Sequence, residues 1–186
     1  TVLVKALLKQ LPSTGTITWR PNVRIGYVPQ QVDLDRYLTI TLEDFLKLKT
    51  SILKLPLGEI AEAARLVGLQ KNTLQASLRA LSGGQLQRGL IAFALIGNPD
   101  VIFFDEPTAS VDTPGEEQIY ELLHRLQDER GMAIVLVSHE LDLVSRYASH
   151  ILCLNRDMIC FGEPDASLKP EMLAKLYGSA THVHHL

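Results

Sequence analysis

The sequence predicts an α/β fold built on a mostly parallel sheet, with an α-helical segment inserted between two of its strands. Three observations carry that prediction. Residues 101–104 (VIFF) and 133–137 (AIVLV) are short, continuous apolar runs, the pattern of strands covered on both faces in a parallel sheet. Residues 116–129, between them, have helical periodicity, which makes a strand–helix–strand unit. Residues 34–81 are helical in pattern, so roughly 34–90 reads as a helical subdomain inside one domain spanning 1–186.

The remaining elements follow in chain order. Leu3, Ala6, Leu7 and Leu11 fall at helical spacing, and Pro12 stops that run. A helix that opens at Thr1 without a cap gives the expectation of a chain cut from a longer parent. Two β-rich runs, 15–19 and 23–28, flank Arg20-Pro21-Asn22, and Pro29 ends the second. Thr41, with Asp44 three residues on, is a capping-box-like helix start. The Ala-rich 58–67 stretch closes at Gly68, and the helix after Gly84 stops at Gly97-Asn98-Pro99. Residues 151–154 and 158–161 flank the turn-like Asn155-Arg156-Asp157 as a hairpin, and 170–177 form a last short helix.

Composition sets the outer limits. The 186 residues are 46% hydrophobic and 21% charged, enough apolar content for an ordinary folded domain and against disorder. The apolar runs are too short to span a bilayer. A net charge of −3 gives no electrostatic footprint for nucleic acid, so no nucleic-acid partner is expected. Two cysteines, Cys153 and Cys160, make no disulfide framework and are expected as buried, inert thiols in a reducing cytosolic setting.

Four stretches carry chemistry. In 101–106, four apolar residues precede Asp105 and Glu106, so a buried strand delivers two carboxylates to the carboxyl edge of the sheet, where α/β folds bind ligands. A carboxylate there suits Mg²⁺, and its neighbour is placed to orient or deprotonate a water. Ser82-Gly83-Gly84-Gln85 opens a helix, and small residues with unpaired helix N–H groups suit a phosphate, although a plain helix cap has the same look. His139 follows the 133–137 strand, at the sheet edge of Asp105 and Glu106, as a hydrogen-bond donor to a phosphate oxygen or as a structural hydrogen-bonder. Gln30 ends Tyr27-Val28-Pro29-Gln30, presenting an amide at a strand end.

Taken in the order Gln30, Ser82 to Gln85, Asp105-Glu106, His139, these stretches resemble the nucleotide-binding domain of ATP-binding cassette (ABC) ATPases over nearly the whole chain. Leu81 to Gln85 reads LSGGQ, the family signature, and Ser82 precedes Asp105 by 23 positions, as the family has it. The resemblance implies a P-loop NTPase-like core with an inserted helical subdomain, and ATP with Mg²⁺ as cofactors. It puts Gln30 on the Q-loop glutamine, Asp105 on the Walker B aspartate, Glu106 on the catalytic glutamate and His139 on the switch histidine. Asp112 of Ser110-Val111-Asp112 falls on the D-loop aspartate, and Ser82, Gly83, Gly84 and Gln85 on the nucleotide-contacting signature. Reading TVLVKALL against the family puts Thr1 on the Walker A hydroxyl residue, so Thr1, Asp105 and Gln30 are the implied Mg²⁺ set. The departures are a Walker A string that is absent, Val2 where the family has Thr, and Lys5 beyond the loop. The family's N-terminal strands, with their adenine-stacking aromatic residue, are also expected to be missing from this chain.

The family works as a head-to-tail dimer, which implies a second copy of the ATPase subunit and integral membrane permease subunits as partners. Only 51 residues separate Gln30 from Ser82, too few for the coiled coil of chromosome-organising relatives. The 148–164 segment resembles ATPase subunits of zinc/manganese-type importers. That implies an ATPase driving uptake of zinc or manganese, peripheral on the cytoplasmic face of the inner membrane, and served indirectly by a periplasmic or surface metal-binding protein. The alternative is a non-transport ABC module acting as a nucleotide-dependent regulator or assembly factor. His182, His184 and His185 read either as a solvated tail or as a loose site for a borderline metal.

Overall fold

The computed structural model describes residues 1–30, 32, 39–107 and 113–177. Asp112 and the histidines at 182, 184 and 185 lie outside the described residues. The chain forms two compact units, Thr1–Ser138 and His139–Leu186.

The first unit is an α/β layer structure. Strands β1 (Ile25–Val28), β2 (Val101–Asp105) and β3 (Ala133–Val137) form a parallel sheet in the order β1-β2-β3. Residue alternation divides its two faces. Val28, Ile102 and Phe104 pack on one side into the larger core with helices α2 (Leu42–Leu53), α3 (Gly58–Leu66), α5 (Gly83–Leu95) and α6 (Thr113–Arg130). Val101 and Phe103 pack on the other face with Val4 of α1 (Val2–Leu7), Trp19 and Val23. All five residues of β2 are buried because it is the central strand and both its faces are covered.

Three expectations are corrected here. The 133–137 run is not covered on both faces: Val135, on the face of its register partner Phe103, is 39% exposed, because the cover there reaches Phe103 and Val137 but leaves Val135 open. Residues 15–19 join no strand ladder among the described residues; Trp19 instead sets its ring edge-on to Phe103, centroids 6.0 Å apart. The first helix ends at Leu7, well before Pro12, where Lys9 turns left-handed (φ 58°) and its N–H closes on the Ala6 carbonyl.

Between β1 and β2 the described chain is helical, with α4 (Lys71–Gln75) and a 3₁₀ turn (Leu78–Ala80) completing it. Thr41 caps α2: its hydroxyl accepts from the Asp44 N–H and donates to the Asp44 carboxylate at 2.6 Å. Leu42, Leu46 and Thr50 form the buried stripe of α2. A Cβ on Gly89 would lie 2.7 Å from Leu42 Cδ1, so the α2–α5 crossing needs hydrogen at that position. The carbonyls at the end of α3 are held by two arginines, Arg88 of α5 on Val67 (2.8 Å) and Arg125 of α6 on Leu66 (3.0 Å). Arg130 pairs with Glu62 of α3.

In the second unit, α7 (Leu141–Tyr147) precedes an antiparallel hairpin of β4 (Ile151–Asn155) and β5 (Asp157–Gly162), turned at Arg156 in the left-handed region (φ 63°). Two short helices follow, α8 (Pro164–Ser167) and α9 (Pro170–Tyr177). The expectation of free thiols is corrected as well. Cys153 and Cys160 face each other across the hairpin, Cα atoms 4.9 Å apart, and are disulfide-bonded. The turn at Arg156 sets Leu154 opposite Met158, and a one-residue register shift between Cys153 and Leu154 then brings Cys153 opposite Cys160 rather than Ile159. No described helix is long and apolar enough to cross a membrane.

Candidate functional site

The site grows from the end of β2. Four buried apolar residues carry Asp105 to the carboxyl edge of the parallel sheet, and Asp105 itself is only 1% exposed. A carboxylate so buried needs donors or a cation. Thr1 Oγ1 donates to Asp105 Oδ1 at 2.7 Å, and the Thr1 amino nitrogen lies 3.4 Å from the same oxygen. On the other side the Tyr27 hydroxyl approaches Oδ2 at 3.4 Å. Burial raises the Tyr27 pKa above the ordinary phenol value, and the Asp105 charge and hydrogen bond add to that. Carboxylate and hydroxyl oxygens together are the hard donor set that Mg²⁺ prefers.

Glu106 continues the strand but breaks its backbone, with φ at 51° in the left-handed region that non-glycine residues seldom occupy. Its N–H is fixed by the Val137 carbonyl at 3.0 Å, so the turn is anchored on the end of β3. Its side chain meets Gln30, whose Nε2 donates to Glu106 Oε2 at 2.5 Å. Gln30 reaches that point because β1 lies beside β2 in parallel register, Val28 opposite Phe104, and Pro29 ends the strand just before it. Thr1, Asp105, Glu106 and Gln30, distant in sequence, therefore gather at one edge. Tyr27 joins them unforeseen. Its signal was its place on β1, directly opposite Phe103 and two residues from Asp105 along the neighbouring strand.

Ser82, Gly83, Gly84 and Gln85 form the N-terminus of α5. The Ser82 hydroxyl accepts from the Gln85 N–H at 3.3 Å, and Gln85 Oε1 accepts from the Ser82 N–H at 3.0 Å, a reciprocal capping box. The plain-cap reading thus describes these two side chains within the chain. Gly84 is different: a Cβ there would meet nothing within 4 Å, and its φ is not positive. Among the described residues, nothing asks for glycine at 84. His139, first residue of the second unit, sets Nε2 3.1 Å from Glu140 Oε1.

The ABC transporter family model matches residues 1–109. The zinc import ATP-binding protein ZnuC of Haemophilus influenzae is 39% identical over 178 residues, which are 95% of this chain and 65% of the relative. The chain thus spans about two thirds of that relative's length. Among solved structures, an inward-facing metal-chelate type ABC transporter superposes with a TM-score of 0.84 at 26% identity, over 95% of this chain and 73% of that one. The dimeric cassette MJ0796, in a post-hydrolysis state bound to ADP and Pi, superposes with a TM-score of 0.59 at 30% identity, over 70% of this chain and 58% of that one. With more than half of its length matched by the family model and its parallel sheet shared with solved ATPase cassettes, the chain belongs to the ABC transporter family.

Proposed function

We propose that this chain is the ATP-hydrolysing part of an ABC importer that drives uptake of a divalent metal ion, zinc or manganese, through a separate permease. The observation that carries the reading is the convergence of Gln30, Asp105, Glu106 and Thr1 at one sheet edge, with Gln30 bonded to Glu106. The zinc reading rests on the name of the relative, and the dimer on the MJ0796 cassette.

Phosphoryl transfer needs positioning and charge stabilisation more than covalent chemistry. Asp105 and Thr1, with Gln30 beside them, would hold Mg²⁺; when bound, the ion neutralises charge on the β- and γ-phosphates of ATP. Glu106 takes the proton from the attacking water, and Gln30 holds that carboxylate in place until nucleotide arrives. His139 donates to a γ-phosphate oxygen. In the dimer, Ser82, Gly83, Gly84 and Gln85 meet the nucleotide of the other subunit, with the α5 N–H groups facing its phosphate. Asp112, on the family's D-loop position, contributes to the same interface. The chain sits peripherally on the cytoplasmic face of the inner membrane, against its permease, and a surface or periplasmic metal-binding protein delivers the ion.

The test is Glu106→Gln in the full-length protein. ATP-dependent dimerisation is expected to persist while turnover falls by about 10²- to 10⁴-fold, the scale of a lost general base. Unchanged hydrolysis would remove Glu106 from that role. Stimulation of the wild-type complex by zinc- or manganese-loaded binding protein then names the ion.

A further inference from the structure

The end of β3 is held by a contact that the proposed phosphoryl-transfer chemistry does not use. Tyr120, on α6, is 1% exposed and among the largest fully buried side chains of the chain. Its hydroxyl donates to Ser138 Oγ at 2.9 Å. A tyrosine buried this deeply keeps its hydroxyl paired, because an orphaned polar group in a dry core is costly. Ser138 follows Val137, whose carbonyl accepts from the Glu106 N–H at 3.0 Å. The last residues of β3 are therefore gripped from two sides, by the backbone of Glu106 and by the side chain of Tyr120. His139 comes next, and its side chain is 68% exposed.

We propose that Tyr120 is a positioning residue for nucleotide hydrolysis: its buried hydroxyl fixes Ser138, and through Ser138 the Val137 carbonyl on which Glu106 is anchored. The inference rests on the reading of this chain as an ABC ATPase. It adds a residue on the helix that joins β2 to β3, outside every motif by which the site was found. Because α6 is the connection between those strands, a single hydroxyl ties the anchor of the general base to the helix between them.

The test is a double-mutant cycle in the full-length protein. Tyr120→Phe keeps the ring and removes the hydroxyl, and Ser138→Ala removes its partner. Each is expected to lower kcat by about tenfold while the KM for ATP moves by less than about twofold, as for a loss of positioning rather than of binding. The double variant is expected to be no slower than either single one, since both delete the same bond. Ser138→Thr, which keeps the hydroxyl, is expected to retain turnover. In the absence of nucleotide, Tyr120→Phe is expected to speed amide exchange at residues 137–140 and leave β2 unchanged. Full turnover in Tyr120→Phe, losses that multiply in the double variant, or unaltered exchange at 137–140 would each overturn the positioning role. Absence of hydrolysis by the unaltered protein would overturn the ATPase reading instead, and the exchange measurement would still decide whether Tyr120 holds Ser138.

Discussion

Replacing Arg88 by Met separates a hydrogen bond that matters from surface charge that does not. The Arg88 guanidinium donates Nη1 to the Val67 carbonyl at 2.8 Å and Nη2 to Gln118 Oε1 at 3.1 Å, joining the end of α3 to α5 and α6. Val67 is fully buried, and its carbonyl belongs to the last turn of a helix, where no intrahelical donor remains. Methionine keeps most of the aliphatic stem and removes both donors. Leaving a buried carbonyl without its charged donor costs about 1–3 kcal/mol, and the exposed bond to Gln118 adds only a few tenths, so about 2 kcal/mol is expected. Arg65→Met is the internal control. Arg65 pairs with Glu62 one turn away on the exposed side of α3, and such a pair is worth about 0–0.5 kcal/mol. Trp19 is the only tryptophan of the chain and packs edge-on to Phe103, so its fluorescence reports urea unfolding of the first unit. A midpoint shift for Arg88→Met no larger than that for Arg65→Met would refute the claim that the α3 terminus is held by a desolvated, charge-assisted bond. Arg88→Lys, which can reach one acceptor but not both, is expected to fall between wild type and Met.

Three further outcomes are expected. The Thr41 hydroxyl, then Lys47, holds the Asp44 carboxyl below its ordinary range; its contribution to folding is complete above the unfolded pKa and is lost as pH falls through the lowered folded value. Carboxyl-carbon NMR should therefore show the Asp44 pKa rising toward the ordinary range in Thr41→Val, and no change would remove the cap as its cause. Gly84→Ala should leave folding intact or stabilise it by up to about 1 kcal/mol, since the added Cβ meets nothing and alanine is the better helix former, yet should weaken ATP-dependent dimerisation measured by light scattering. The Cys153–Cys160 bond should protect both thiols: alkylation of protein purified without reductant should add no mass, and alkylation after reduction should add two adducts.

How much of this was legible in the sequence follows from which signals are local. β2, α5 and α6 were readable because their cause lies within a few residues: an apolar run ending in Asp105, a capping serine before two glycines, and helical periodicity bounded by turn residues. Gln30 and Glu106 were readable as residues but not as a bonded pair, since the contact exists only through the parallel register of β1 on β2. Val135 was misread because an apolar strand does not record which of its faces the rest of the chain covers. Tyr27 and Tyr120 were missed for a related reason. Each looks like an ordinary core aromatic until its hydroxyl is placed against Asp105 or Ser138. The disulfide was missed because a hairpin turned at Arg156 in plain register would set Cys153 opposite Ile159, and only the register shift after Cys153 brings it opposite Cys160.

Left-handed non-glycine backbone recurs in this chain at Lys9, Asn22, Lys54, Asn98 and Arg156, but at Glu106 it falls on the edge where the proposed chemistry lies. Asp105 is a carboxylate with 1% exposure, against the strong tendency of charges to stay in water. Glu106, its neighbour, occupies a left-handed backbone that costs a non-glycine residue on the order of 1 kcal/mol or more. Gly83 and Gly84 stand in the first turn of α5, and at Gly84 neither the backbone angle nor the surrounding space requires glycine. A sequence shaped only for stability would place asparagine or glycine at 106 and alanine at 84. The strain at Glu106 turns its side chain onto Gln30 while its N–H stays on Val137, and no strand continued in ordinary geometry would give both. At Gly84, as at Gly58, an added Cβ would meet none of the described residues, and of the two only Gly84 stands in the proposed nucleotide-contacting turn. On the proposed reading, a nucleotide bound between two such chains would give both positions a use: the first an aimed carboxylate, and the second a backbone bare enough to meet a phosphate.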